Sequence, residues 1–125
     1  MRKYNQKNTG FIVESKIKAK IWVQSFLKRL DALNYHTTII YHGDDNAGSV
    51  LIMTNNLDNS CRVYTQVRNE NNVLTWLCGT GEDPVSEDVA NEYIIRQQSY
   101  DQDLWAIEIE DPKNKFNLDD LVEAI

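Results

Sequence analysis

A chain of 125 residues, 42% hydrophobic and 26% charged, has the size and composition of one globular domain and not of a chain disordered throughout. No apolar run approaches the ~20 residues that cross a bilayer, and the first residues, with Arg2, Lys3 and Lys7, lack the apolar centre of a signal peptide, so the expected location is cytoplasmic. The net charge of −6 is lopsided: residues 1–30 hold eight Lys or Arg against Glu14 alone (+7), and residues 31–125 hold five against eighteen acids (−13). So acidic a body repels phosphate backbones and disfavours general nucleic-acid binding, while the basic start either packs across its own acidic body or meets an anionic partner.

In chain order, residues 1–13 are polar and rich in Asn and Lys, and predict a mobile tail ahead of a single domain over 14–125. From Ser15 the pattern turns helical. Trp22, Val23, Phe26, Leu27, Leu30 and Leu33 recur every three or four residues, with Lys20, Gln24, Lys28 and Arg29 largely opposite. Asn34 suits the end of this helix, and Lys28 and Arg29 suit its negative pole.

Residues 36–41 are β-branched and aromatic and read as a strand. Turn residues fill 42–48, and the strand after them is apolar on both faces at Val50-Leu51-Ile52-Met53, which predicts a central position. Residues 61–68 alternate, with Cys61, Val63, Thr65 and Val67 expected inward and Arg62, Tyr64, Gln66 and Arg68 outward. A turn at 69–72 leads into the strand 73–78. Four strands joined by short turns predict an antiparallel meander, since parallel pairing needs a long crossover.

After a loop at 79–84, Ser86 looks like an N-cap with Glu87 and Asp88 in the first helical turn, and Val89, Ala90, Tyr93, Ile94 and Gln97 as the packing face. In 104–110 the residues alternate strictly. Trp105, Ile107 and Ile109 lie on one side and Leu104, Ala106, Glu108 and Glu110 on the other, a strand with the first set inward. Leu118, Leu121, Val122 and Ile125 predict a terminal helix capped by Asn117. The expected fold is α+β, in the order α-β-β-β-β-α-β-α, with a mostly antiparallel sheet of about five strands and the helices packed on one face. Cys61 and Cys78 fall in different strands without metal-site spacing and are expected to be reduced thiols; no cofactor is implied.

Ile21-Trp22-Val23, then Gly43-Asp44-Asp45-Asn46-Ala47-Gly48-Ser49-Val50, then Arg96-Gln97 leading into Tyr100-Asp101-Gln102-Asp103-Leu104-Trp105 and Glu108-Ile109-Glu110, occur in an order that resembles the short alphaproteobacterial proteins grouped as domain of unknown function 1491. The likeness spans about residues 14–123. The chain departs from the family in its longer polar N-terminus and in Gln102, where the family often has proline. The resemblance implies a bacterial cytosolic protein, or one of an alphaproteobacterium-derived compartment, and carries over no catalytic residue.

Three groups of residues are candidate sites. The outward stripe Arg62, Tyr64, Gln66 and Arg68 sets one aromatic between two guanidinium groups, a composition suited to a nucleic-acid base or a partner protein's surface, with a solvated sheet face as the simpler reading. Asp44 and Asp45 beside His42 carry oxygen ligands for a hard cation, but lack the spacing of a calcium or phosphate loop and match ordinary turn chemistry. Glu108 and Glu110 share a strand face. They could act as paired carboxylates with Asp44 and Asp45 in a metal-assisted hydrolase, or pair with Arg62 and Arg68 across the sheet. Nucleophilic catalysis has no support, because neither cysteine has a neighbouring His and Ser49 lacks a nucleophile-elbow setting. The leading expectation is a small binding domain contacting a macromolecular partner, a protein in preference to a nucleic acid. The alternatives are the hydrolase and a structural subunit of a larger assembly.

Overall fold

The structure, a computed structural model, describes residues 18–118; the expected tail over 1–13 and most of the expected terminal helix lie outside that range. The elements are α1 (Ala19–Ala32), β1 (His36–Tyr41), β2 (Val50–Asn55), β3 (Cys61–Arg68), β4 (Leu74–Cys78), α2 (Glu87–Tyr100) and β5 (Trp105–Glu110). They form an α+β fold with one five-stranded, mixed but mostly antiparallel sheet, in the order β1-β5-β2-β3-β4.

Helix α1 buries Ala19, Val23, Phe26 and Leu30, the four-three-four spacing of one helical stripe. It ends where Asn34 adopts φ 67°, with Tyr35 N–H donating to Leu30 C=O at 3.0 Å and Asn34 N–H to Asp31 C=O at 2.9 Å. This Schellman arrangement satisfies carbonyls that the last turn would otherwise leave open. At the other end no side chain caps the helix. Ala19 and Lys20 N–H donate instead to the carbonyls of Asn46 and Asp45, at 3.3 and 2.9 Å. Helix α2 begins as expected, with Ser86 Oγ accepting from Val89 N–H at 3.2 Å and Glu87 and Asp88 in the first turn.

Two expectations of the architecture are corrected. The first is the four-strand meander, which is in fact three strands, β2-β3-β4. Strand β5 inserts between β1 and β2, antiparallel to β1 and parallel to β2. The crossover that parallel pairing requires is β3, β4 and α2 together. The second is the position of the helices, which lie on opposite faces of the sheet. Val50 and Ile52 of β2 and Trp105, Ile107 and Ile109 of β5 pack with α1, whereas Leu51, Met53, Leu104 and Ala106 pack with Ala90 and Ile94 of α2. Burial of every β2 residue follows from this, since the middle strand of a sheet covered on both faces has no wet side. Each fully buried aliphatic or aromatic side chain here contributes ~1.5–3 kcal/mol before entropy is counted. Val89, expected on the packing face of α2, is exposed.

Candidate functional site

Strand β5 enters the sheet between β1 and β2, so the loop over 42–49 that joins those two strands must pass across its start. The loop and the strand are locked together. Asp44 N–H donates to Asp103 C=O at 2.9 Å, Trp105 N–H to Ser49 C=O at 2.8 Å, and the Trp105 indole Nε1–H to Asp44 C=O at 2.8 Å. The His42 ring lies 4.0 Å from that of Trp105, and Ser49 Oγ donates to Asp101 Oδ2 at 3.0 Å. Gly43 and Gly48 lie against the Asp103 carbonyl and the Trp105 ring with no room for a Cβ; neither takes a positive φ. Close approach, rather than the turn conformation expected from sequence, is what these two positions require. The stretches that carried the family resemblance, 43–50 and 100–105, thus meet in three dimensions, and the carbonyls of Asp45 and Asn46 extend the knot to the start of α1.

The Asp44 and Asp101 carboxylates of this knot are spent on local structure. Asp44 Oδ2 accepts from Asn46 and Ala47 N–H, both at 3.0 Å, an Asx-type turn. Glu108 and Glu110 lie towards the other end of β5, where Asn55 Nδ2–H donates to Glu108 Oε2 at 2.9 Å. The structure therefore does not bring Asp44, Asp45, Glu108 and Glu110 together. Among the described residues no group of three or more His, Cys, Asp and Glu side chains is placed to hold a metal ion.

The stripe on β3 does not form the solvated platform expected of it, because α1 covers that side of the sheet. Tyr64 is half-buried and packs, with Trp76 and Trp22, against the core beneath α1. Gln66 Oε1 accepts from Val50 N–H at 3.1 Å. The two arginines hold loops at opposite ends of the strand. Arg62 Nη1 donates to Glu82 C=O at 2.7 Å and Arg68 Nη1 to Asn72 C=O at 2.9 Å. The expected cross-sheet pairing of Glu108 and Glu110 with these arginines is absent from the hydrogen bonds the arginines make.

Sequence reasoning missed the outer edge of the neighbouring strand, β4. Gly79 N–H donates to Val63 C=O and Asn69 N–H to Val73 C=O, so residues 73, 75, 77 and 79 turn their backbone groups towards β3. By alternation Leu74, Trp76 and Cys78 turn theirs to the open edge, where only the Cys78 carbonyl has a described backbone partner, the N–H of Gly81. Val73 and Leu77 are 54% and 55% exposed along this edge, with Val67 beside them on β3. No charged residue or proline occurs between Val73 and Gly79. The signal was present in the sequence as an uncharged run, but edge position is a property of the whole sheet.

Cys61 and Cys78 are both free thiols on opposite sides of the sheet: Cys61 faces the α2 core, and Cys78 stands opposite Tyr64 on the α1 side. Burial, followed by Glu87, Glu108 and Asp58, pushes the Cys61 thiol up to about 11, so it stays protonated and unreactive near neutral pH. Among the described residues no helix is long and apolar enough to cross a membrane.

The family described as protein of unknown function (DUF1491) matches residues 17–119. A crystal structure of a DUF1491 family protein from Caulobacter crescentus CB15 superposes with a TM-score of 0.70 at 23% identity, over 78% of this chain and 90% of that one. An NMR structure of a DUF1491 family protein from the same organism gives 0.68 at 23% identity over 78% and 87%. The solution structure of protein Atu0922 from A. tumefaciens gives 0.62 at 17% over the same shares. At these identities the likeness is one of fold. No curated protein matches the sequence significantly.

Proposed function

The chain belongs to the DUF1491 family, and from that footing we propose that it is a small cytoplasmic protein-binding domain, which accepts an extended segment of a partner protein along the open edge of β4. The observation that carries this reading is the character of that edge: an uncharged, proline-free strand paired without a register shift, with outward backbone groups at Leu74 and Trp76 and exposed Val73 and Leu77 beside it. Sheet edges normally carry a bulge, a Lys or a Pro that blocks pairing. The opposite edge, β1, does carry a bulge between Ile39 and Tyr41. An unblocked edge supplies main-chain hydrogen bonds for affinity and alternate side-chain positions for selectivity. Arg68 and Arg62, on β3 beside the two ends of β4, would flank the bound segment as polar contacts.

The test is affinity capture from cells, followed by cross-linking mass spectrometry, with Leu77→Lys and Ile39→Lys compared with the unaltered chain. A partner cross-linked to residues beside β4, lost with Leu77→Lys and kept with Ile39→Lys, is the expected result. A partner bound equally well by all three refutes the assignment of the edge.

A further inference from the structure

We infer that the β4 edge pairs with a second copy of this chain, joining two five-stranded sheets into one across a two-fold axis at Trp76; this rests on the strand-accepting role proposed above and names its occupant. The outward residues alternate symmetrically about Trp76, which has Leu74 on one side and Cys78 on the other. Antiparallel pairing about that centre lets Trp76 exchange both backbone hydrogen bonds with the partner's Trp76. Each Cys78 N–H then donates to the carbonyl of the partner's Leu74. The same register sets exposed Leu77 beside the partner's Thr75, on the side where Val67 is also exposed. It removes from water an apolar edge that the described part of one copy leaves bare. Such a contact is isologous and closes at two copies.

Charge is consistent with this occupant. Each copy carries a net charge of −6 and residues 73–79 hold none of it, so pairing along this edge adds no direct like-charge contact between copies. The antiparallel register also brings the hairpin end of one copy, with Arg68 and Glu70, to the end where the partner's Arg62, Glu82 and Asp83 lie. The first end sums to zero charge and the second to −1, so no strong like-charge repulsion opposes this register. The other edge cannot substitute, since the bulge between Ile39 and Tyr41 breaks the regular alternation that a continuous ladder needs.

Sedimentation velocity of the purified full chain, from micromolar to millimolar concentration, tests the pairing. The expected result is a concentration-dependent shift from 14.5 kDa to about twice that mass. Leu77→Lys, at an exposed position, is expected to keep the thermal midpoint of the monomer and remain at 14.5 kDa, while Ile39→Lys still dimerises. Amide exchange gives a second readout: Trp76 and Cys78 N–H become protected as concentration rises, and Ile39 N–H does not. A chain that stays monomeric at all concentrations, or a dimer that Leu77→Lys leaves intact, overturns the inference. A monomer that still captures another protein through Leu77 overturns only the self-pairing, whereas a capture experiment indifferent to Leu77 overturns the role of the edge itself.

Discussion

Replacing Gly48 by alanine adds a methyl carbon that runs into the carbonyl oxygen of Asp103 and comes within 3.0 Å of Trp105 Cδ1 and 3.1 Å of the Asp44 nitrogen. None of these atoms is the free end of a flexible side chain, so either the loop or the start of β5 must move. Overpacking of this kind costs ~1–3 kcal/mol. The displacement also stretches the 2.9 Å bond from Asp44 N–H to Asp103 C=O, adding about 1 kcal/mol. The expected total, ~2–4 kcal/mol, corresponds to a fall in thermal midpoint on the order of 10 °C for a domain of this size. Gly81→Ala is the control. Gly81 sits at φ +100° with no atom within 4 Å of an added Cβ, so only backbone strain of roughly 1 kcal/mol applies. Circular dichroism melts of the three proteins, with indole fluorescence as a local probe of Trp105, decide the matter. If Gly48→Ala melts with the unaltered chain, or above Gly81→Ala, the loop does not clamp β5 and the account of the knot is wrong.

Leu57 is 55% exposed and held at φ 66°, a conformation costly for a branched side chain, so Leu57→Asn is expected to raise the urea midpoint by ~0.5–1 kcal/mol in stability; a loss would show that Leu57 packs against something. Asp111 is buried and accepts from Lys115 and Phe116 N–H at 3.0 and 2.9 Å, so Asp111→Ala is expected to cost ~2–3 kcal/mol by chemical unfolding, and Asp111→Asn, which keeps one acceptor oxygen, clearly less. The Cys61 thiol titrates near 9.0 when unfolded and about 11 when folded, so the folded state holds the extra proton between those values. Stability is therefore fully present below pH 9 and falls as pH rises towards 11. Tyr35, raised first by burial and then by Asp111, adds loss in the same direction above pH 10. Cys61→Ala should flatten the part of the decline that begins at pH 9, and an unchanged slope in urea titrations across that range counts against a buried neutral thiol.

The elements themselves were legible because their signals are local. The stripe Val23, Phe26, Leu30 defines α1 by spacing, Ser86 with Glu87 and Asp88 marks the start of α2, and the alternation from Trp105 to Ile109 marks β5 and its buried side. Even the middle place of β2 could be read from Val50 to Met53. The carboxylate cluster was a plausible reading of composition alone, because nothing in a one-dimensional list separates Asp44 from Glu108 by the length of a strand. The Arg62–Arg68 stripe failed for a related reason: alternation tells which residues share a face, never which face a helix will cover.

From sequence alone, then, came the list of elements, their apolar faces and the acidic character of the body, since each depends on residues a few positions apart. Only the tertiary structure decided that β5 slips between β1 and β2, that the helices take opposite faces, and that β4 lies at the edge of the sheet with no further strand beside it among the described residues. Those choices depend on contacts among segments tens of residues apart, where loop closure, chain crossover and the joint filling of two cores compete. The glycines beside Trp105 belong to both accounts: their place in the chain was plain, while the wall they press against exists only once the strand is in the sheet.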